Sequence, residues 1–172
     1  SIGFAYFRER GFTEETIRRF ELGYHLEGRS TFFDTAIAAG YQAEYLAVTG
    51  LSIAREDGSH VDRFLGRAMF PIHSLGGRIV GFGGRVLKKE AKTAKYLNSP
   101  ESEIYHKSRV LYGLFQAKQS IARADRCYLV EGYTDVISLS QAGVQNVVSS
   151  SGTALTLDQI RLIKRLTEHV TL

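Results

Sequence analysis

Apolar positions along the chain follow two rhythms. Over the first fifty residues they recur at helical spacing in short runs broken by glycine. Thr13 followed by Glu14 and Glu15 has the form of a helix start, with acids at the positive end of the helix, and Ser30 is placed to cap a second helix ending at Gly40. From Arg63 the pattern turns to strands: "RAMFPIHS" and "RIVGFGGRVL" flank the turn residues Leu75, Gly76 and Gly77 and predict a β-hairpin. Pro71 suggests an edge or a strand start, and Asn98, Ser99 and Pro100 read as a loop. Helical spacing resumes over 108–122 through Leu111, Leu114, Phe115 and Lys118. A strand over 127–130, a helix over 134–142 (Val136, Leu139 and Ala142), a strand over 144–149 and a helix over 156–168 follow. The last helix opens with Thr156 and Gln159 in capping-box spacing, and "HVTL" reads as the start of a third strand. Such alternation predicts a parallel sheet, so the fold class is mixed α+β passing into α/β. The change of pattern places a domain boundary near residue 120, giving 1–120 and 121–172.

Glu131 stands out against this pattern. Cys127, Tyr128, Leu129 and Val130 form an apolar strand and a helix follows, so the charged residue sits at the carboxyl end of a strand. In open α/β sheets that edge binds ligands. Asp135, four residues on, brings a second carboxylate to the same corner, suited to a magnesium ion that also contacts phosphates, although a first-turn acid also serves the helix dipole.

Composition narrows the classes. The 172 residues are 44% hydrophobic, enough for one sizeable core or two small ones. No apolar run approaches the roughly 18 residues of a membrane span, and no signal-like segment opens the chain. The single cysteine, Cys127, excludes an internal disulfide or a zinc site of paired cysteines and fits a reducing cytoplasm. Five histidines (His25, His60, His73, His106 and His169) lack metal-ligand spacing. Net charge is +4 with a pI near 9.2, but its placement matters more. Between Arg63 and Lys95, eight basic residues (Arg63, Arg67, Arg78, Arg85, Lys88, Lys89, Lys92 and Lys95) face one acid, Glu90, a local charge of +7. Either this is a solvated face or it binds a polyanion. Phe64, Phe70, Phe82 and Tyr96 lie among the cations, as a single-strand groove requires, although most of the phenylalanines read as core.

"GGRIVGFGGR" lacks the Gly-Lys-Ser/Thr of a nucleotide P-loop. Gly81, Gly83 and Gly84 either admit a backbone or nucleic-acid strand close to a sheet or serve tight sheet packing. "SSSGTALT", Ser149 to Thr156, contains no nucleophile elbow and reads as a strand-to-helix loop that could line a site opposite Glu131.

Taken together, "RAMFPI", "GRIVGFGGRVL", "KYLNSPE", "YHKS", "LYGL", "EGYTDVISLSQAG" and "SSGTALT" resemble the RNA-polymerase core of DnaG-type bacterial primases, from about Ala5 to Leu172. The resemblance implies a basic, mixed N-terminal subdomain followed by an incomplete Toprim domain with a Rossmann-like parallel sheet. It implies a DNA-directed RNA polymerase that makes short RNA primers on single-stranded DNA from ribonucleoside triphosphates. Glu131 then matches the metal-site glutamate, for Mg2+ or Mn2+, and Asp135 the acid after it. Arg85, Lys95, Tyr96, Asn98 and Lys107 match groove-facing residues, with Arg63 and Arg67 of the basic stretch beside them. The remaining aspartate ligands are expected beyond Leu172, which leaves the fragment inactive alone. Zinc belongs to a separate preceding domain, and a replicative helicase and single-strand binding protein would be contacted through other regions, in the bacterial cytoplasm. Thr134 departs from the family's usual methionine, and His73 from a charged residue. Rival readings are the Toprim strand-cleaving enzymes, which need a tyrosine nucleophile domain, a recombination-mediator Toprim protein, which needs several cysteines, and a non-catalytic single-strand binding module.

Overall fold

The computed structural model describes residues 2–28, 30–88, 93–152 and 154–172. Lys89, Glu90 and Lys92 of the basic stretch and Thr153 of the serine-rich loop lie outside the described residues. Two short helices, α1 (Ile2–Glu9) and α2 (Glu14–Arg19), open the fold. Thr13 caps α2 by accepting from the Thr16 N–H at 3.2 Å, and acids in the first turn and arginines in the last both suit the helix dipole.

After β1 (Gly23–Tyr24) comes a lobe that the sequence pattern only half reveals: α3 (Thr31–Ala38), α4 (Ala43–Val48) and an antiparallel pair, β2 (Ser52–Ala54) with β3 (His60–Asp62). Ser30 precedes α3 but does not cap it, because its hydroxyl donates to Asp34 instead. The orphan N–H groups of α3 are met from another element: the Asp62 carboxylate accepts from Phe32 and Phe33 at 2.8 and 3.0 Å. Capping needs an oxygen at the helix start, not one adjacent in sequence.

β4 (Arg67–His73) and β5 (Ile79–Val86) form the expected hairpin, closed by the Ser74 N–H donating to Arg78 O at 2.8 Å. With β6 (Tyr96–Asn98) they complete a four-stranded antiparallel sheet in the order β1-β4-β5-β6. β6 corrects the loop expected around Asn98. Its ladder runs on into turn-type residues because Ser99 bonds Phe82 twice, by its N–H to the Phe82 carbonyl and by its hydroxyl from the Phe82 N–H. Pro71 sits inside a central strand, yet opposite Phe82, whose backbone groups both face β6. Its missing N–H therefore points to the far side of β4, where β1 pairs only with Ala68 and Met69. Locally, it is on an edge.

Of the two readings of the glycines, tight packing holds. A Cβ on Gly81, Gly83 or Gly84 would lie 2.9, 2.5 or 2.7 Å from the rings of Tyr105, Tyr133 and Phe64 respectively. Aromatic side chains, not a backbone or a nucleic-acid strand, approach the sheet there. Phe64 and Phe70 are core residues, as expected for most of the phenylalanines in the basic stretch.

The second half alternates as expected. After a 3-10 turn (Lys107–Arg109) come α5 (Leu114–Ala124), β7 (Cys127–Val130), α6 (Tyr133–Gln141), β8 (Val147–Ser149), α7 (Leu157–Lys164) and β9 (Val170–Thr171). The three strands are parallel in the order β8-β7-β9, and Thr156 and Gln159 form the expected capping box at 3.1 Å each way. The helix read from residue 108 begins only at Leu114, because Gly113 has a φ of +80° that a helix cannot include. Tyr112 instead bridges Ser149 as an added antiparallel pair. On α6 the buried stripe is Tyr133, Val136, Ile137 and Ser140; of the expected Val136, Leu139 and Ala142, Val136 is buried, Leu139 packs against the core half-buried and Ala142 is exposed.

Residue 120 falls inside α5, whose buried face (Leu114, Ala117 and Ile121) packs against Cys127, Val148 and Ile163. A larger cluster joins Phe7, Phe12, Phe20 and Phe70 from the first half to Tyr133, Val136, Ile137 and Val147 from the second. The two ends are also tied through Gln141, which accepts from the Thr13 N–H and donates to Gly11 O, each at 2.8 Å.

Candidate active site

At the carboxyl end of β7 the chain turns through Glu131 and Gly132 into α6. The turn is held from below: the Ser149 hydroxyl, fully buried at the end of β8, donates to Glu131 O at 2.7 Å and accepts from the Ser151 N–H at 2.8 Å. One hydroxyl thus fixes the loops leaving two neighbouring parallel strands. Ser151 takes a φ of +60°, uncommon for a non-glycine residue. The Glu131 side chain is exposed, and among the described residues it joins no ion pair. Asp135 is also exposed, but its Oδ2 accepts from the Gly132 N–H at 3.1 Å. It stabilises the start of α6, the end at which a first-turn acid also suits the helix dipole.

Facing this corner is the sheet of the first half. Tyr96 and Asn98 project from β6, and Lys107 stands in the 3-10 turn, its N–H donating to Glu101 at 2.9 Å. That bond is the main reason the Glu101 carboxyl is held below its ordinary range. Together with Glu131, Asp135, Ser151 and Gly152, these residues line a pocket of about 470 Å³. Ser151 and Gly152 of the serine-rich loop thus line the same pocket as Glu131.

The two halves meet through Tyr133. Its hydroxyl donates to Asn98 Oδ1 at 2.6 Å, its ring stacks on Phe70 with centroids 5.3 Å apart, and Tyr112 meets it edge-on at 4.6 Å. Burial pushes the phenol well above its usual pKa. Beside the pocket, Arg85 packs its guanidinium over Tyr96 and over Tyr6 of α1, both at 5.6 Å, and Arg10 covers Tyr6 at 5.3 Å.

The expected site residues thus separate into groups. Glu131, Asp135, Tyr96, Asn98 and Lys107 share one pocket, and Arg85 adjoins it through Tyr96. Lys95 is exposed next to Tyr96. Arg63 donates to Asn98 O at 3.4 Å and so braces the end of β6. Arg67 departs from expectation: it is only 6% exposed, and its guanidinium donates to Gly84 O at 3.1 Å and Ala94 O at 3.0 Å. It braces backbone carbonyls between β5 and β6 and is not available to a polyanion. Three site features escaped sequence reasoning. Tyr133 carried a signal, since with Val136, Ile137 and Ser140 it completes an i, i+3, i+4, i+7 stripe. Ser149 and the Tyr6–Arg10 pair carried none, because their roles depend on contacts distant in sequence.

Among the described residues no cluster of three or more His, Cys, Asp or Glu side chains forms a metal site. No helix is long and apolar enough to cross a membrane among those residues.

A family model for the DNA primase catalytic core, N-terminal domain, matches residues 2–118, and a Toprim-like model matches residues 128–172. The DNA primase of Escherichia coli K12 is 42% identical over 165 residues, covering 96% of this chain and 28% of its own length. The solved Escherichia coli primase catalytic core superposes with a TM-score of 0.88 at 42% identity, over 96% of this chain and 52% of that one. A DnaG primase catalytic domain bound to single-stranded DNA superposes with a TM-score of 0.84, also at 42% identity, over 96% of this chain and 53% of that one. The chain therefore spans about half of the solved cores and under a third of that curated relative. It belongs to the family of DnaG-type bacterial DNA primases and carries part of their catalytic core.

Proposed function

We propose that this chain supplies the template-and-nucleotide wall and the first carboxylate of a DNA-directed RNA polymerase that makes short primers on single-stranded DNA. The observation that carries the reading is the single pocket in which Glu131, at the carboxyl edge of a parallel sheet, faces Tyr96, Asn98 and Lys107 of the basic half. The relative whose catalytic domain is bound to single-stranded DNA supports it.

The reaction is attack of a ribonucleotide 3′-hydroxyl on the α-phosphate of an incoming ribonucleoside triphosphate, with release of pyrophosphate. Negative charge grows at that phosphate, and fixed cations on rigid elements stabilise it without reorganising. Lys107, Arg85 and Lys95 supply that charge, and the face of Tyr96, 37% exposed, offers a surface on which a base can stack. Glu131 fits a divalent ion, Mg2+ or Mn2+, as one exposed carboxylate with no ion pair among the described residues. Asp135 fits less well because one of its oxygens caps α6. The further ligands are expected from residues beyond Leu172. When bound, such an ion would neutralise the phosphates and lower the pKa of the attacking hydroxyl.

The test is template-dependent ribonucleotide incorporation on single-stranded DNA by the core completed with its remaining Toprim strands, compared with its Glu131→Gln variant. Short RNA from the parent and none from the folded variant is the expected result. The 1–172 chain alone is expected to make no RNA and to bind single-stranded DNA with an affinity whose logarithm falls by roughly 0.7 per phosphate neutralised for each decade of salt. A completed core that binds DNA but never incorporates ribonucleotides would leave a binding module and end the polymerase reading.

A further inference from the structure

Tyr133 belongs to the α/β half by sequence, yet most of its contacts are with the other half. Its ring fills the space opened by Gly83 on β5, where a Cβ would lie 2.5 to 2.8 Å from the ring and hydroxyl, and it stacks on Phe70 of β4. The hydroxyl donates to Asn98 Oδ1 at 2.6 Å. Two residues earlier in the same turn is Glu131, whose carbonyl is fixed by Ser149. The distance from Glu131 to Asn98 across the pocket is thus set through one side chain held by Phe70 on a ring face and by Tyr112 edge-on.

The bond also has a direction. Tyr133 is 4% exposed, and its hydroxyl donates to Asn98 Oδ1. A phenol has one hydrogen to give. Asn98 Oδ1, 2.6 Å away, is its acceptor. Holding the oxygen of an asparagine fixes where its NH2 points, and Asn98 lines the pocket beside Lys107. Both cations and amide N–H groups suit phosphate or carbonyl oxygens.

We infer that Tyr133 is a positioning residue that locks the Asn98 amide as a donor into the pocket and holds it in register with Glu131. The inference rests on the proposed reading of the pocket as a nucleotide and nucleic-acid site. No covalent step passes through Tyr133.

Tyr133→Phe keeps the ring, its stacking on Phe70 and the fit to Gly83, and removes only the hydroxyl. The chain has two asparagines, Asn98 and Asn146, so selective 15N-asparagine labelling gives two side-chain amides. Asn146, whose amide donates to Arg126 O, serves as the internal standard. In Tyr133→Phe the Asn98 NH2 pair is expected to shift and to exchange with solvent at least about fivefold faster, while the Asn146 pair stays in place. Affinity for a fluorescein-labelled oligo-dT, and for ATP with Mn2+, is expected to fall about five- to tenfold for one or both probes. Asn98→Ala should cost as much, and the double variant no more than Asn98→Ala alone. Effects that multiply in the double variant, or an unchanged Asn98 amide in Tyr133→Phe, would overturn the inference. If the parent chain binds neither probe, it is the proposed function that falls, and the amide spectrum alone still decides whether Tyr133 holds Asn98.

Discussion

Gly83→Ala tests the junction between the halves most directly. The added methyl would sit 2.5, 2.6 and 2.8 Å from Cε2, Cζ and Oη of Tyr133, about 1 Å inside ordinary carbon contact. The ring cannot retreat freely, since Phe70 stacks on one face and Tyr112 closes from the side. Overpacking of this kind costs about 1–3 kcal/mol, and displacing the phenol from Asn98 adds about 1 kcal/mol for a buried hydrogen bond. Replacing a strand glycine returns about 0.5–1 kcal/mol of unfolded-state entropy. The net is about 2 kcal/mol, which for a chain of this size lowers Tm by roughly 4–8 °C. Thermal unfolding followed by circular dichroism reads this. Gly23→Ala is the matched control, because its Cβ would meet nothing nearer than Met69 Cβ at 4.0 Å. In a Tyr133→Ala background the Gly83→Ala penalty should fall below about 0.5 kcal/mol, as the ring that it strikes is gone. A Gly83→Ala chain that melts with the Gly23→Ala control would refute the reasoning.

Other substitutions separate structural from binding roles. Arg67→Met should destabilise the fold by about 2 kcal/mol, because the Gly84 and Ala94 carbonyls lose a charged donor, while leaving the salt slope of oligo-dT binding unchanged; urea unfolding and titrations at several salt concentrations check the two parts. Lys107→Ala, by contrast, should leave urea unfolding nearly unchanged and flatten that slope. Thr13→Ala removes the cap of α2 and should cost about 1 kcal/mol in the same unfolding assay. Burial raises the Cys127 thiol from 9.0 to about 11, so iodoacetamide at pH 8 should label it only after unfolding. Because the folded value is the higher one, the stability this group contributes is complete below pH 9 and is lost as the pH rises toward 11; Cys127→Ala should flatten that alkaline decline in urea midpoints.

Local patterns carried the parallel α/β half into the sequence almost whole. Its strands are short apolar runs, its last helix has a true capping box, and Glu131 follows a strand that periodicity alone locates. In the antiparallel half the Thr13-capped helix, the helix after Ser30 and the hairpin were legible. β6 escaped because its pairing depends on Ser99 using both backbone and side chain against Phe82, and turn-type residues hide such a strand. The fate of Arg67 was equally invisible: a basic residue in a basic stretch reads as surface until the carbonyls around it are known. Ring packing against Gly81, Gly83 and Gly84 needed the third dimension, since close approach of any group leaves the same glycine signature. The family resemblance brought Tyr96, Asn98 and Lys107 to one groove, a grouping that spacing alone did not supply.

The shared core and the Gln141 tie have a consequence for how such chains diversify. The matched segments, 2–118 and 128–172, look like modules that could be exchanged between relatives. Yet Phe7, Phe12 and Phe20 of the first are packed with Val136, Ile137 and Val147 of the second, and α5 lies on the parallel sheet. A chimera that swaps only the second segment would keep its alignment intact and inherit a mismatched interior. Successful exchange must carry α1, α2 and α5 along with it, so the line along which this chain can be recombined is not the line along which its sequence is divided.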